Sequence, residues 1–347
     1  MNYLSTKLYS AFSNPSLRDY RKSSSFHASA ASVTIPNSLG GQEIVGACNR
    51  QQYLRIKDVP RSDIGETDWN IAALLGEKVH DLAVDLINDH GFTMGLQILK
   101  AEHPFFDPRI NLSGRCDILC WDYNQQMPIG IEVKSVGEYK AGKVLESPQP
   151  EHVLQAMLYL DYYKNTIPDN QKAPERWYIW YFARTESWAI KGKKHGSPFT
   201  MLWDFYITLS GPEKTVTVHT PNGPERWEHF NINNIHRRYH ELKQAVTLEE
   251  LPPRDFDLQY SVEKIVGMYK HGKLEFKKYT EPVKKWLDKG SPEGKLKLAI
   301  GDFECRVCPW KSHCWDLNFS GNNQKGLFSL PKKANTKEKS TPPEVIL

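Results

Sequence analysis

Hydrophobic and polar positions along the chain alternate between helical and strand-like spacing. Residues 69–87 carry apolar side chains three and four positions apart, which predicts an amphipathic helix that ends before His90-Gly91. Strand-like runs follow at 114–121 and 129–134, and the polar stretch between them is typical of a turn. The pattern therefore predicts a helix followed by a β-hairpin.

The second half of the chain continues this mixed pattern. Ser147-Pro148 predicts a helix start, and the helix extends through 153–163 until Pro168. A strand is predicted at 176–184, within a stretch of 30 residues that contains ten aromatic side chains. A further helix is predicted at 233–245, so the chain belongs to the α/β class.

Composition divides the chain further. Residues 263–297 contain ten lysines and five acids, which suggests an exposed basic insertion. Serine-rich and lysine-rich ends are typical of loosely held arms. We therefore expect five segments: an N-terminal arm (1–40), a core (41–255), a lysine-rich insertion (256–300), a cysteine-containing segment (301–318) and a C-terminal tail (319–347).

Global properties exclude several classes of protein. The mean hydropathy is −0.57 and no apolar run approaches the ~20 residues that span a bilayer, so we expect a cytoplasmic protein without membrane partners. Six cysteines among 347 residues are too few for a disulfide scaffold. The net charge of +4 neither requires nor excludes a nucleic acid partner.

The predicted hairpin carries candidate catalytic groups. Side chains alternate along a strand, so Glu132 and Lys134 share one face while Ile131 and Val133 point into the core. Asp117 lies on the neighbouring strand, three residues after Gly114, which we expect to leave the backbone approachable. Carboxylate oxygens are ligands for hard divalent cations, which can activate water and neutralise phosphate charge. The pattern is consistent with metal-dependent hydrolysis of phosphodiester bonds.

Four short motifs occur in a fixed order along this helix, hairpin and helix. The motifs are GxxxH at Gly76…His80, GxxD at Gly114…Asp117, ExK at Glu132…Lys134 and QxxxY at Gln155…Tyr159. Together they resemble the RecB-like exonuclease branch of the PD-(D/E)xK nucleases. The resemblance implies a restriction-endonuclease-like mixed central sheet flanked by helices, closed by a C-terminal cysteine cluster.

The resemblance also implies a role for each motif residue. Asp117 and Glu132 would bind Mg²⁺ or Mn²⁺, and His80 would complete the metal shell. Lys134 would orient water or stabilise the pentacoordinate phosphate. Gln155 and Tyr159 would contact the substrate strand. The protein would then be a metal-dependent DNA exonuclease acting in recombination and repair, phage DNA metabolism or CRISPR spacer processing.

Four cysteines form a second candidate site. One lies early in the chain and three lie near its end: Cys48, Cys305, Cys308 and Cys314. Four thiolates suffice for a [4Fe–4S] cluster or for tetrahedral zinc, and His313 could replace Cys314 in a zinc site. The layout resembles the iron–sulfur subgroup, which includes CRISPR-associated RecB-like exonucleases and AddB-type nuclease domains. Cys116 and Cys120 are expected to share one face and to be buried hydrophobes.

The resemblance implies DNA as a sequence-independent partner, and a helicase, recombinase or CRISPR adaptation protein as a protein partner. The location would be the host cytoplasm if a phage encodes the chain. Apart from the resemblance, the placement of ten lysines just before the cysteine-containing segment predicts that residues 263–297 form one wall of the DNA path. The alternative is a solvated insertion without contact to DNA. The alternative function is a non-catalytic DNA-binding or assembly subunit that keeps the fold and the cluster.

Overall fold

A computed structural model describes residues 25–37, 40–63, 67–168, 170–184, 201–274, 276–290, 296, 298 and 300–316. The strands are β1 (Phe26–His27), β2 (Ser32–Pro36), β3 (Gln42–Gly46), β4 (Leu96–Asp107), β5 (Leu112–Asp122), β6 (Met127–Val136), β7 (Trp177–Ala183), β8 (Leu202–Ser210), β9 (Thr215–Thr220) and β10 (Gly223–Asn231). The helices are α1 (Asn49–Ile56), α2 (Thr67–Met94), α3 (Glu138–Lys143), α4 (Pro150–Thr166), α5 (Ile232–Leu248), α6 (Val262–Lys270), α7 (Lys277–Asp288), α8 (Phe303–Arg306) and α9 (Lys311–Asp316).

Within these described residues, eight strands form one mixed sheet. Strands β4 to β10 lie side by side in chain order, and β2 and β3 form a separate hairpin. The pair β6–β7 is parallel, whereas the other neighbours from β4 to β10 are antiparallel. The predicted mixed central sheet flanked by helices is thus present.

Strand β5 pairs with both β1 and β6 along one of its edges and with β4 along the other. Leu112 pairs with both Phe26 of β1 and Asp107 of β4, so β1 and β4 lie on opposite edges of β5. Strand β6 pairs with β5 only over residues 118–122, and it shares the edge that β1 occupies. Residues 114–117 therefore lie in a gap between β1 and β6, where neither strand pairs with them.

Helices cover both faces of the sheet. Helix α2 packs over β4 and β6, where Ala83 and Ile87 are buried against Ile118, Ile131 and Val133. Helix α4 packs against β6, β7 and β8 on the other face and contributes to the main hydrophobic core. The sheet is thus the middle layer of three, and the gap in β5 lies between α2 and α4.

The predicted elements are present, with two corrections to their ends. Helix α2 does not end before His90-Gly91 but continues to Met94, because Gly95 is the residue that adopts a left-handed φ of 70°. Helix α4 begins at Pro150 instead of at Ser147-Pro148, since the second proline occupies the first helical position. The hairpin at β5–β6, the strand at β7 and the helix at α5 are confirmed.

The expectation that Cys116 and Cys120 share a face is wrong. Both are fully buried, but Cys116 lies in the main core and Cys120 lies in the core under α2. Side chains two residues apart on a strand normally share a face, but Cys116 and Ile118 lie in cores on opposite faces of the sheet. The alternation of side chains along β5 therefore changes phase near Asp117. Asp117 therefore occupies an irregular position in β5.

The N-terminal arm and the lysine-rich insertion are more structured than expected. Residues 25–37 form β1 and β2 with Phe26 and Val33 buried in the main core, whereas residues 1–24 lie outside the described residues. Helices α6 and α7 pack together around Ile265 and Val283 as a small separate cluster. The predicted tail from residue 319, and Trp188 and Phe199 of the aromatic stretch, also lie outside the described residues.

No helix in the described part of the chain combines the length and apolar character needed to cross a membrane.

Candidate metal and catalytic site

Asp117 occupies the point where β5 and β6 separate. The last paired residues are Ile118 and Ile131, and Asp117 is the next position along β5. Its Oδ2 accepts a hydrogen bond from the main-chain N–H of Val133, at 2.7 Å. The side chain thus replaces a ladder hydrogen bond, which fixes the carboxylate at the mouth of the gap and leaves Oδ1 available.

Glu132 and Lys134 lie beside Asp117 on the α4 side of β6, as predicted from strand alternation. Glu132 is 0% exposed, and neither of its carboxylate oxygens accepts a well-formed hydrogen bond from the described residues. Lys134 Nζ forms an ion pair with Glu132 Oε1. A buried carboxylate with so few partners is costly, which is typical of a site that binds a cation.

Burial perturbs all three of these groups. It raises the pKa of Asp117 to about 6, although the charge of Lys134 acts in the opposite direction. Burial and the negative charge of Asp117 raise the pKa of Glu132 to about 8. Burial alone would lower the pKa of Lys134, but Glu132 and Asp117 raise it. The site therefore disfavours two bare carboxylates, and a divalent cation would relieve their repulsion.

Gln155 and Tyr159 continue the network behind Lys134. Lys134 Nζ donates a hydrogen bond to Gln155 Oε1 at 3.1 Å, and Gln155 Nε2 donates to the Tyr159 hydroxyl at 2.8 Å. The Tyr159 hydroxyl donates to the main-chain carbonyl of Arg115 at 3.0 Å. Tyr159 is fully buried, so the structure places it where it positions Gln155 and not at a surface that a substrate could reach.

His80 reaches the site from α2. Its Nδ1 lies 3.4 Å from Asp117 Oδ1 and 3.4 Å from Glu102 Oε1. These three side chains place one ligand atom each within 4.8 Å of one another. The predicted His80 and Asp117 are thus brought together, and Glu102 joins them.

Glu102 and Arg115 were not anticipated from the sequence. Glu102 lies on β4 opposite Asp117, and Arg115 Nε contacts its Oε2 at 2.5 Å. The prediction passed over β4 because Pro104 and several charged residues interrupt its alternation. Proline is tolerated in an edge strand, and β4 pairs only with β5 among the described strands. Arg115 lies inside the GxxD motif, directly after Gly114, and this position was the available signal.

Gly114 has a different role from the expected one. The sequence suggested that this glycine leaves the backbone approachable. A Cβ at Gly114 would lie 2.3 Å from the ring of Phe105, so the space beside it is already filled. The glycine permits close packing of β4 against β5, and it does not open a path to the site.

The four predicted cysteines also come together. Cys48 precedes α1, the other three lie in the segment of α8 and α9, and all four line one cavity together with Arg50 and Arg254. Arg50 Nη1 donates to Cys314 Sγ at 3.7 Å. Burial raises the pKa of Cys48 and of Cys305, each to about 12, so metal binding must displace their protons.

The arrangement of these sulfurs bears on the kind of group they fit. The four thiols are a complete donor set for a [4Fe–4S] cluster or for tetrahedral zinc. His313 does not line the cavity, whereas Cys314 does, so Cys314 and not His313 belongs to this donor set.

Comparisons with known proteins add no assignment. No protein-family model matches this chain, and no curated protein sequence matches it significantly. The functional interpretation therefore rests on the geometry of the two sites.

Proposed function

We propose that this chain is a metal-dependent nuclease with a restriction-endonuclease-like fold that hydrolyses phosphodiester bonds in DNA. The observation that carries the proposal is Glu132, a fully buried carboxylate whose Oε1 contacts Lys134 and whose Oε2 has no hydrogen-bond donor among the described residues. It lies beside Asp117, also buried, and the ammonium group of Lys134. Two carboxylates and a lysine held rigidly at the mouth of a gap in a sheet suit a cation and a phosphate.

The roles of the side chains follow from their contacts. Asp117 and Glu132 would hold the cation, which when bound supplies positive charge for the phosphate and lowers the pKa of water. Lys134, held by Gln155 Oε1, would place its charge on the phosphate as negative charge develops there. Tyr159 keeps the Gln155 amide in one orientation, which fixes the direction of the Lys134 side chain.

We also propose that the four cysteines hold a [4Fe–4S] cluster that joins the two ends of the described chain. The donor set is complete, all four thiols line one cavity, and Arg50 directs a guanidinium at one of them. The role is structural, since Cys48 is more than 250 positions from Cys305 in sequence. DNA contacts would be independent of sequence, and a helicase, recombinase or CRISPR adaptation partner stays a prediction.

The catalytic proposal is tested by digestion of end-labelled single-stranded and double-stranded DNA, with and without Mg²⁺ or Mn²⁺. We expect metal-dependent cleavage by the wild type and its loss in Asp117→Ala, Glu132→Ala and Lys134→Ala. DNA affinity should persist, because phosphate contacts elsewhere dominate binding. Wild-type cleavage by any of the three variants would overturn the assignment. DNA binding by the wild type without cleavage would instead support the non-catalytic alternative.

A further inference from the structure

Glu102 lies outside the set of residues expected to bind metal, but its carboxylate points into the site. Its Oε1 is 3.4 Å from His80 Nδ1, which is itself 3.4 Å from Asp117 Oδ1. Neighbouring ligands of an octahedral Mg²⁺ or Mn²⁺ lie about 3 Å apart. Small side-chain adjustments would therefore bring all three atoms onto one cation.

The backbone of β4 directs this carboxylate. Ala101 pairs with Ile118 and His103 pairs with Cys116, so Glu102 faces Asp117 across the strand pair. Its φ is 49°, a left-handed value that residues other than glycine seldom adopt within a strand. The irregularity of β4 thus coincides with the change of phase in β5.

A second observation concerns the charge balance of this region. Glu132 is fully buried next to Asp117, and its Oε2 has no hydrogen-bond donor among the described residues. In the same part of the chain, the carboxylates of Glu102, Asp117 and Glu132 lie beside two permanently charged side chains, Lys134 and Arg115, and the imidazole of His80. Arg115 is itself 64% exposed, so it only partly neutralises Glu102.

We propose that Glu102, His80 and Asp117 form a second divalent-cation position, separate from the one at Asp117 and Glu132, with Asp117 shared between them. This proposal rests on the proposed nuclease function and extends it, and it moves His80 from the metal shell that the resemblance implies to the second position. A site with one imidazole and two carboxylates favours Mn²⁺ over Mg²⁺, whereas the site of carboxylates alone accepts either ion. The wild-type chain should therefore bind two Mn²⁺ ions but bind Mg²⁺ well at only one position.

The alternative role for Glu102 is an ion pair with Arg115 that only stabilises β4 against β5. The two roles make opposite predictions for Arg115. If Glu102 is a metal ligand, removing Arg115 releases the carboxylate and leaves Mn²⁺ binding intact or tighter. If Glu102 is only an ion-pair partner, the variants Glu102→Gln and Arg115→Gln should behave alike.

The experiment is a titration of the full-length protein with Mn²⁺ alone, followed by the loss of the EPR signal of free Mn²⁺. We expect two equivalents bound by the wild type and by Arg115→Gln, and one equivalent bound by Glu102→Gln. The equivalent kept by Glu102→Gln also shows that this variant is folded. Glu132→Gln should keep the equivalent at Glu102.

Two results would overturn the proposal: wild-type binding by Glu102→Gln, or the same loss in Glu102→Gln and Arg115→Gln. DNA hydrolysis by the same preparations is scored separately. Two bound Mn²⁺ ions without DNA cleavage would contradict the proposed nuclease function and leave the second cation position standing.

Discussion

The candidate site depends on two carboxylates placed where water cannot solvate them. Asp117 gains one main-chain hydrogen bond, from Val133, and Glu132 gains an ion pair with Lys134. These contacts compensate the burial of the two negative charges only in part. In the absence of a cation, the carboxyl groups therefore hold protons more tightly than they do in the unfolded chain.

This imbalance predicts a specific pH dependence. The pKa of Glu132 rises from 4.5 in the unfolded chain to about 8 in the folded metal-free protein. The folded state then binds more protons across this window, so the metal-free protein loses stability as pH rises from about 5 to 8. A cation competes with the same proton. The increase in Tm on adding Mg²⁺ should therefore grow with pH over this range.

The measurement is a series of thermal unfolding curves between pH 5.5 and 8.5, with and without Mg²⁺. Glu132→Gln is the matched control, because the amide keeps the shape of the side chain but cannot titrate. We expect its response to Mg²⁺ to be small and flat with pH. A wild-type response that does not change with pH would contradict the raised pKa of Glu132.

At the scale of elements, alternation alone was enough to predict the β5–β6 hairpin and the shared face of Glu132 and Lys134. Alternation could not predict the change of side-chain phase at Asp117. That change lies in the gap between β1 and β6 on one edge of β5, and only the tertiary strand pairing defines this gap. Glu102 was missed for a related reason. Its strand lies at an edge, where proline and charged residues are tolerated, and only tertiary pairing places it opposite Asp117.

The pairing of β6 with β7 predicts a stability effect that depends on side-chain packing alone. Gly130 pairs with Trp177, and a Cβ at Gly130 would lie 2.2 Å from the indole ring. Trp177 is fully buried and cannot move away easily. Gly130→Ala should destabilise the protein by about 1–3 kcal/mol through overpacking. The expected drop in Tm is a few degrees.

Gly137→Ala is the matched control for this substitution. A Cβ at Gly137 meets no atom within 4 Å, and the residue does not adopt a left-handed φ. Its loss of stability should stay below about 1 kcal/mol, as for other changes at a helix N-cap. Equal unfolding midpoints for the two variants would show that the sheet yields to the added methyl group.

At the scale of the whole molecule, the chain returns at its C-terminal end to the region that precedes α2. Trp310 Nε1 donates to the carbonyl of Val59 at 2.8 Å, and the N–H of Ser312 donates to Asp63 at 2.8 Å. A metal cluster at the four cysteines that persisted in the unfolded chain would close a loop of similar length and stabilise the fold by at most about 5 kcal/mol. The cysteine spacing predicted this closure, but the flanking contacts depend on tertiary packing and could not be read from the sequence.

The group that the four cysteines hold can be identified from the metal content of the purified protein. If a [4Fe–4S] cluster joins the two ends, then Cys48→Ser and Cys305→Ser should each lose most of the iron, because every thiolate is a ligand of the same cluster. Anaerobically purified wild-type protein should be brown, with about four irons per chain.

Cys120→Ala is the control: its thiol is buried under α2, outside the cysteine-lined cavity, so this variant should keep its iron. Colourless wild-type protein with one zinc per chain, or full iron in Cys48→Ser, would contradict the cluster. The unfolding midpoint should fall together with the iron content in the two serine variants, since the same thiolates connect α1 to the C-terminal segment.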